Sequence, residues 1–285
     1  ILENKMNIKI VTDSTSDLPD DLINKLGITV IPLNVSFGTE NYKDKVTISS
    51  DTFYKRLSED SNLPKTSQPS PGDFKEIYDS LEPENNKILS IHVTAKMSGT
   101  YNSAVQGRSQ SKMPENIEVI DTGQVSMGLG LTVIKAAEAV LNGQNIEEVK
   151  QLINQSIKLS ECFCLLETLE YVEKGGRIGK AQAILGSVLN IKPMIIMKEG
   201  EVHDLAKVRT FNKGLTRLIE TVKTFSPIET IAVMHSTTPD LAESISEEIR
   251  SLLPDISTPY LTRFGPVIGT YSGPGAIGIG LIRKK

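Results

Sequence analysis

Between residues 7 and 141 short β-rich runs alternate with helical patterns, and that alternation limits the fold more than any other feature of the chain. Strands separated by helices need crossover connections, which produce a parallel sheet covered by helices on both faces. Residues 7–12 read as the first strand, followed by the polar loop Asp13-Ser14-Thr15-Ser16-Asp17. Pro19 opens a helix that runs to Leu26 and closes at Gly27. Residues 28–35 read as a second strand, and 51–58 and 72–81 as helices. The second helix has Ser70 at its N-cap, Pro71 at N1 and Asp73 at N3. A strand over 87–93 leads through Thr94-Ala95-Lys96-Met97 into a helix that starts at Ser98. Another over 117–121 leads through Thr122-Gly123 into a long helix ending at Leu141.

From about residue 161 the order changes. Residues 161–166 and 194–198 read as strands, and Gly200 makes a hairpin into 202–208. Helices over 211–225 and 241–253 follow, and the end is a glycine-rich strand. Neighbouring strands with few crossovers form an antiparallel or mixed sheet. With 285 residues the chain sits where one core begins to split into two. The expected fold is therefore α/β: a parallel-sheet domain over 1–160 and a mixed or antiparallel α/β domain over 161–285.

Several function classes drop out on charge and spacing. A net charge of -4, with no basic run beyond Arg283-Lys284-Lys285, argues against nucleic acid as the main partner. No apolar stretch reaches the roughly 18 residues of a membrane span, and Glu3, Lys5 and Lys9 interrupt the first ten residues, which do not read as a signal peptide. A cytoplasmic location is expected. Cys162 and Cys164 share one face of a buried strand, where they suit neither a disulfide nor a four-ligand zinc site, and read as reduced packing thiols.

Gly273-Pro274-Gly275-Ala276-Ile277-Gly278 matches the dinucleotide fingerprint in letters, but only seven residues follow it, too few for the βαβ unit that the motif must open. Gly175-Gly176-Arg177-Ile178-Gly179-Lys180 has the wrong spacing for a phosphate loop, and Ala181 stands where a hydroxyl should meet magnesium. There is no G-x-S-x-G elbow. His92, His203 and His235 are far apart in sequence and read as structural. No metal site and no cofactor are expected.

Three strand-to-helix loops remain, rich in hydroxyls: Asp13-Ser14-Thr15-Ser16, Ser98-Gly99-Thr100 and Asp121-Thr122-Gly123. In an open parallel sheet such loops gather at the carboxyl ends of the strands, where ligands bind. A helix N-terminus there offers free N–H groups and a positive dipole end to a carboxylate or phosphate. Ser98, read as an N-cap with Gly99 allowing close approach, is the best donor. The same hydroxyls could simply cap helices.

The motifs Thr12-Asp13-Ser14-Thr15-Ser16-Asp17, Lys65-Thr66-Ser67-Gln68-Pro69-Ser70, Met97-Ser98-Gly99-Thr100-Tyr101, Asp121-Thr122, Lys174-Gly175-Gly176-Arg177-Ile178 and Gly265-Pro266-Val267-Ile268-Gly269-Thr270 occur in this order. Together they resemble the DegV family, whose members bind fatty acids and include the acyl-binding subunits of bacterial fatty-acid kinase. The resemblance runs from about residue 7 to the C-terminus. It implies a long-chain fatty acid buried between two α/β domains, with its carboxylate near Thr66 and Ser98. It further implies presentation of that carboxylate to a separate ATP-using subunit, which makes the acyl phosphate. Arg177 matches the family's Gly-Gly-Arg motif, near the ligand mouth and the partner face; as a helix-end arginine it could equally sit in a surface salt bridge. Tyr271 departs from the family, which commonly has His there. Tyr still donates a hydrogen bond but cannot change charge near neutrality.

Three classes of function compete on this reading. The first is a lipid-binding carrier that does no chemistry itself, such as the non-catalytic subunit of a fatty-acid kinase. An autonomous hydrolase would use Ser98 as nucleophile and need His92 or His235 within hydrogen-bond reach. A lipid-sensing regulatory subunit would share the carrier's site.

Overall fold

Strand and helix alternate as the pattern requires, and the computed structural model describes residues 7–60, 62–184 and 191–285. The reading of residues 1–10 as no signal peptide falls, for residues 1–6, outside the described range. The first half runs β1 (Asn7–Asp13), α1 (Asp20–Leu26), β2 (Thr29–Ile31), β3 (Asn34–Phe37), β4 (Glu40–Lys43), α2 (Ser50–Glu59), β5 (Lys65–Ser67) and α3 (Pro71–Ser80). It continues with β6 (Asn86–His92), α4 (Thr100–Ser109), β7 (Ile117–Asp121), α5 (Ser126–Leu141) and α6 (Ile146–Leu159). The second half runs β8 (Ser160–Leu165), α7 (Glu170–Lys174), β9 (Lys192–Lys198), β10 (Glu201–Val208) and α8 (Phe211–Thr224). It ends with β11 (Ile228–His235), α9 (Pro239–Leu252), β12 (Tyr260–Arg263), α10 (Pro266–Ser272) and β13 (Ile277–Arg283).

β1, β2, β6 and β7 form a parallel sheet in the order β2-β1-β6-β7, with Ile10 opposite Leu89 and Val11 opposite Thr29. The second half forms a six-stranded mixed sheet, β10-β9-β8-β13-β11-β12, antiparallel except for the β11–β12 pair. Both sheets match the sequence expectation. So does the cap of α3, where Ser70 and Asp73 close a reciprocal capping box.

Other expectations need correction. The single strand over 28–35 is two: β2 stays in the parallel sheet, whereas β3 leaves it after Pro32, which has no N–H for a continuous ladder. β3 pairs with β4 and β5 in a small antiparallel sheet that the sequence pattern did not reveal, with Val35 opposite Thr66. Helix α4 starts at Thr100 rather than Ser98, and Gly99 is its N-cap. Helices α6, α7 and α10 lie outside the sequence expectation; α10 occupies part of the segment read as glycine-rich strand. The literal G-x-G-x-x-G ends in β13, not in a helix, so its rejection as a nucleotide motif agrees with the fold.

Helix α5 carries the architecture. Only Lys135, Glu138, Val140 and Leu141 escape burial, so the helix is apolar on nearly every face, as a helix between two layers must be. One core joins Ile10, Leu89 and Ile91 of the parallel sheet, Met127, Leu131 and Val133 of α5, and Ala232, Met234 and Ile282 of the mixed sheet. A second core lies on the far face of the mixed sheet under α8 and α9, including Leu218, Val222, Ile245 and Ile249.

The glycines of β13 follow from this packing. A Cβ on Gly280 would lie 2.8 Å from the Met127 carbonyl carbon and 3.0 Å from the Gly128 nitrogen, both backbone atoms of α5. Backbone cannot swing aside as a side-chain tip can. Gly280→Ala is expected to cost about 1–3 kcal/mol of stability through overpacking. Denaturant unfolding that shows no loss would mean α5 is not held this closely against the sheet.

Candidate functional site

The carboxyl ends of β1 and β6 face the small antiparallel sheet and the mixed sheet across a cavity. About 970 Å³ of space lies within it and its open mouth. Its apolar wall includes Val93, Ile195, Met197, Val202, Met234 and Phe264, drawn from both halves of the chain. Thr66, Gln68, Ser98, Arg177 and Tyr271 supply a polar end.

Each polar side chain reaches that end from a different element. Thr66 sits on β5, and its hydroxyl is hydrogen-bonded to the Tyr271 hydroxyl from the last turn of α10. The Arg177 guanidinium lies over the Tyr271 ring, 5.4 Å from its centroid. Its Nε donates to the Met97 carbonyl at 3.3 Å and Nη1 to the Gly175 carbonyl at 2.8 Å. Among the described residues no carboxylate comes within ion-pair distance of it, so the surface salt-bridge alternative finds no support. Gly175 is needed beneath Tyr271, because a Cβ there would meet the ring at 2.5 Å.

Ser98 belongs to a turn in which the Met97 and Ser98 amides donate to the Thr94 carbonyl at 3.2 and 3.3 Å. The tip of the β9–β10 hairpin holds this turn, since the Thr94 hydroxyl donates to the Gly200 carbonyl at 3.0 Å. The Ser98 hydroxyl accepts from the Thr100 amide at 3.3 Å and pairs with the Thr100 hydroxyl at 2.8 Å. Four sequence-selected residues, Thr66, Ser98, Arg177 and Tyr271, thus come together. Gly99 does not: it is absent from the cavity wall, and the space left by its missing side chain is taken by the Gln68 amide.

The sequence reading does not include Gln68 or the apolar wall of the cavity. Gln68 lay inside the Thr-Ser-Gln-Pro-Ser motif, two residues from Thr66, and that adjacency was the available signal. Cys162 and Cys164 are free thiols, as expected, but both line the cavity. Burial pushes the Cys162 thiol up to about 12 and raises Cys164 as well, so neither is a thiolate at neutral pH.

The family model described as "Uncharacterised protein, DegV family" matches residues 7–284. The chain belongs to the DegV family. It is 36% identical to a DegV domain-containing protein of Clostridium acetobutylicum, over 98% of this chain and 99% of the relative. A solved structure described as fatty-acid binding of a DegV family protein from Thermus thermophilus superposes with a TM-score of 0.91 at 32% identity, covering 97% of this chain and 99% of that one. DegV of Bacillus subtilis, described as a fatty-acid-binding protein, gives 0.87 at 31%, covering 98% and 100%. A stearic-acid-binding protein of Eubacterium ventriosum gives 0.89 at 29%, covering 97% and 98%.

In this DegV chain the two histidines considered as hydrolase bases lie away from Ser98. His92 is fully buried, with one ring nitrogen 2.9 Å from the Asp13 carboxylate and the other 2.6 Å from the Ser90 hydroxyl. His235 lines a separate crevice with Lys45 and Arg263. Neither is hydrogen-bonded to Ser98. Among the described residues no helix is long and apolar enough to cross a membrane, and no group of three or more His, Cys, Asp or Glu residues could hold a metal ion.

Behind α10 a buried carboxylate ties the DegV halves together. Asp17 accepts from the Ser126 hydroxyl at 2.6 Å and from the Gly265 amide at 2.8 Å, with the Lys45 ammonium 4.0 Å away. Burial pushes its pKa up to about 6, against the pull of Lys45, Ser126 and Gly265. The folded carboxyl therefore holds its proton more tightly than the unfolded one, whose value is near 3.8. Its contribution to stability is greatest below that value and declines as pH rises towards 6. Asp44, which burial raises to about 7, acts in the same direction. Asp17→Asn removes one of these titrations. Relative to wild type, the variant should be more stable by about 1.4 kcal/mol at pH 8 than at pH 5. Urea titrations of both proteins at the two pH values measure this, and a pH-independent difference would show that Asp17 titrates normally.

Proposed function

We propose that the cavity takes a long-chain fatty acid, its tail among the apolar side chains and its carboxylate at Thr66, Ser98, Tyr271 and Arg177. The observation that carries this reading is the Arg177 guanidinium, which among the described residues pairs with no carboxylate and is set beside the hydroxyls of Thr66, Ser98 and Tyr271 in a largely apolar cavity. A buried or half-buried guanidinium is best satisfied by an anion, and a fatty acid joins an anion to an apolar chain. The fatty-acid-binding DegV proteins of Thermus thermophilus and Bacillus subtilis support the same ligand class.

Magnitudes divide the work. Each buried methylene contributes about 0.8 kcal/mol, so a long tail supplies about 10 kcal/mol before the costs of association. A hydrogen bond to a charged head contributes about 1.5–3 kcal/mol. The tail thus dominates affinity, and the hydroxyls fix where the carboxylate stands.

In this reading the chain is a cytoplasmic carrier with no cofactor or metal, made of a domain over 1–160 and one over 161–285 with the acid between them. It presents the carboxylate to a separate ATP-dependent kinase subunit, and Arg177, at the cavity mouth, faces that partner. Tyr271 keeps the donor function at its position without the charge change of a histidine. A hydrolase built on Ser98 finds no base in either histidine, because both ring nitrogens of His92 are engaged and His235 lines a separate crevice.

Native mass spectrometry of the purified protein should show a fatty acid at about one per chain. By calorimetric titration Ser98→Ala and Thr66→Ala should each weaken binding by about 1–3 kcal/mol. The double variant should lose less than the sum, because both donors serve one carboxylate. Folded, delipidated protein that takes up no fatty acid would overturn the assignment.

A further inference from the structure

We infer that Gln68 is a further donor to the ligand head group, and that residue 99 is glycine in order to admit it. The inference rests on the fatty-acid reading of the cavity and extends it by one residue and one contact. Gly99 stands at φ -75° and ψ 1°, a conformation open to any residue, so no backbone demand selects glycine there. What a side chain would meet is the Gln68 amide: an ideal Cβ on Gly99 lies 2.7 Å from its Nε2 and 2.9 Å from its Cδ. The amide therefore rests on the Gly99 backbone, immediately beside Ser98.

The main chain of Gln68 is held firmly. Asn34 on β3 donates to the Gln68 carbonyl at 3.2 Å and to the Ser67 hydroxyl at 3.1 Å, and buried Pro69 follows. Ser70 then caps α3. The side chain, by contrast, lines the cavity at its exposed rim, where its amide is open to solvent and takes part in none of the hydrogen bonds among the described residues. The neighbouring polar groups are engaged: Thr66 with Tyr271, Ser98 with Thr100, Arg177 with two carbonyls. An ionised carboxylate only accepts, so it draws the N–H side of the amide, and seating on Gly99 narrows where that N–H can point.

The atom that an alanine at 99 would strike is the tip of a flexible side chain, which can swing away at little cost to the fold. Gly99→Ala should therefore leave the melting temperature essentially unchanged while dislodging Gln68 from the head group. The readout is displacement of a fluorescent lipid by stearate and, separately, by stearyl alcohol, which has the same tail and no charge. Gln68→Ala should lower stearate affinity about tenfold and leave the alcohol nearly unaffected. Gly99→Ala should match it, and the double variant should lose no more than either single one. Gln68→Glu, isosteric but acidic, should lose at least as much as Gln68→Ala. Wild-type stearate affinity in either alanine variant, or additive losses in the double variant, would overturn the inference while leaving fatty-acid binding intact. A wild-type protein that takes up no stearate would instead remove the fatty-acid reading, and this one with it.

Discussion

The burial of α5 between two sheets is the constraint on which the rest of the structure depends. A helix that is apolar on nearly every face cannot lie on a surface, and here the parallel sheet covers one side and the mixed sheet the other. The two halves of the chain consequently share a core instead of meeting across a polar interface. Close approach is secured by small residues at the seam: a Cβ on Gly280 would strike the backbone of α5, and one on Gly128 would lie 2.8 Å from the Cys162 Cβ. Because the first turn of α5 is fixed this way, Val125 and Ser126 stand at the cavity wall, opposite residues of the mixed sheet.

The polar ties run alongside that apolar seam. Asp17 belongs to the loop after β1, yet it binds Ser126 at the start of α5, the Gly265 amide at the start of α10 and, through its own carbonyl, the Thr262 hydroxyl at 2.5 Å. Asp17 and Ser126 both hold positive φ, 51° and 49°, which is uncommon for residues other than glycine. Two such residues bonded to each other in a buried junction are a local cost borne where three elements must meet in one geometry. The benefit appears at the other end of α10, where Tyr271 meets Thr66 and Arg177.

The legible part of the fold was the part governed by local pattern. Alternation over 7–141 specified the parallel sheet, and the Ser70–Asp73 capping box and Gly27 marked helix ends to within a residue or so. The small β4-β3-β5 sheet is not legible in the sequence, because strands of three or four residues carry too few alternations to register, and the β-rich pattern over 28–35 continues across Pro32. Helix α10 was hidden by its glycines. Gly269 lies where a side chain would strike the Tyr54 hydroxyl at 2.6 Å, so a tertiary contact set the composition there and masked helical propensity. The residues of the polar end stand in ordered motifs, whereas nothing in the sequence marks the apolar wall. Ile195, Met197 and Met234 look like any core residues until the fold shows that their side chains face a cavity.

Head and tail of the cavity are built from materials with different physical character. The head is directional: hydroxyls and a guanidinium reach one place from β5, the turn before α4, the segment after α7, and α10, so displacing any one element alters the geometry of all contacts there. Exchanging the Thr66–Tyr271 hydrogen bond for bonds to an anion is favourable, because neutral pairs contribute about 1 kcal/mol each and charge-assisted ones about twice that. The tail wall includes Met97, Met197, Met234, Cys162 and Cys164, flexible or soft sulfur side chains that adapt their shape to what lies against them. Non-directional burial can hold apolar groups of differing contour, while hydrogen-bonding groups fixed on four elements accept a polar partner in few positions. The cavity thus divides its demands: tolerance of shape where only buried area matters, and fixed geometry where polar groups converge.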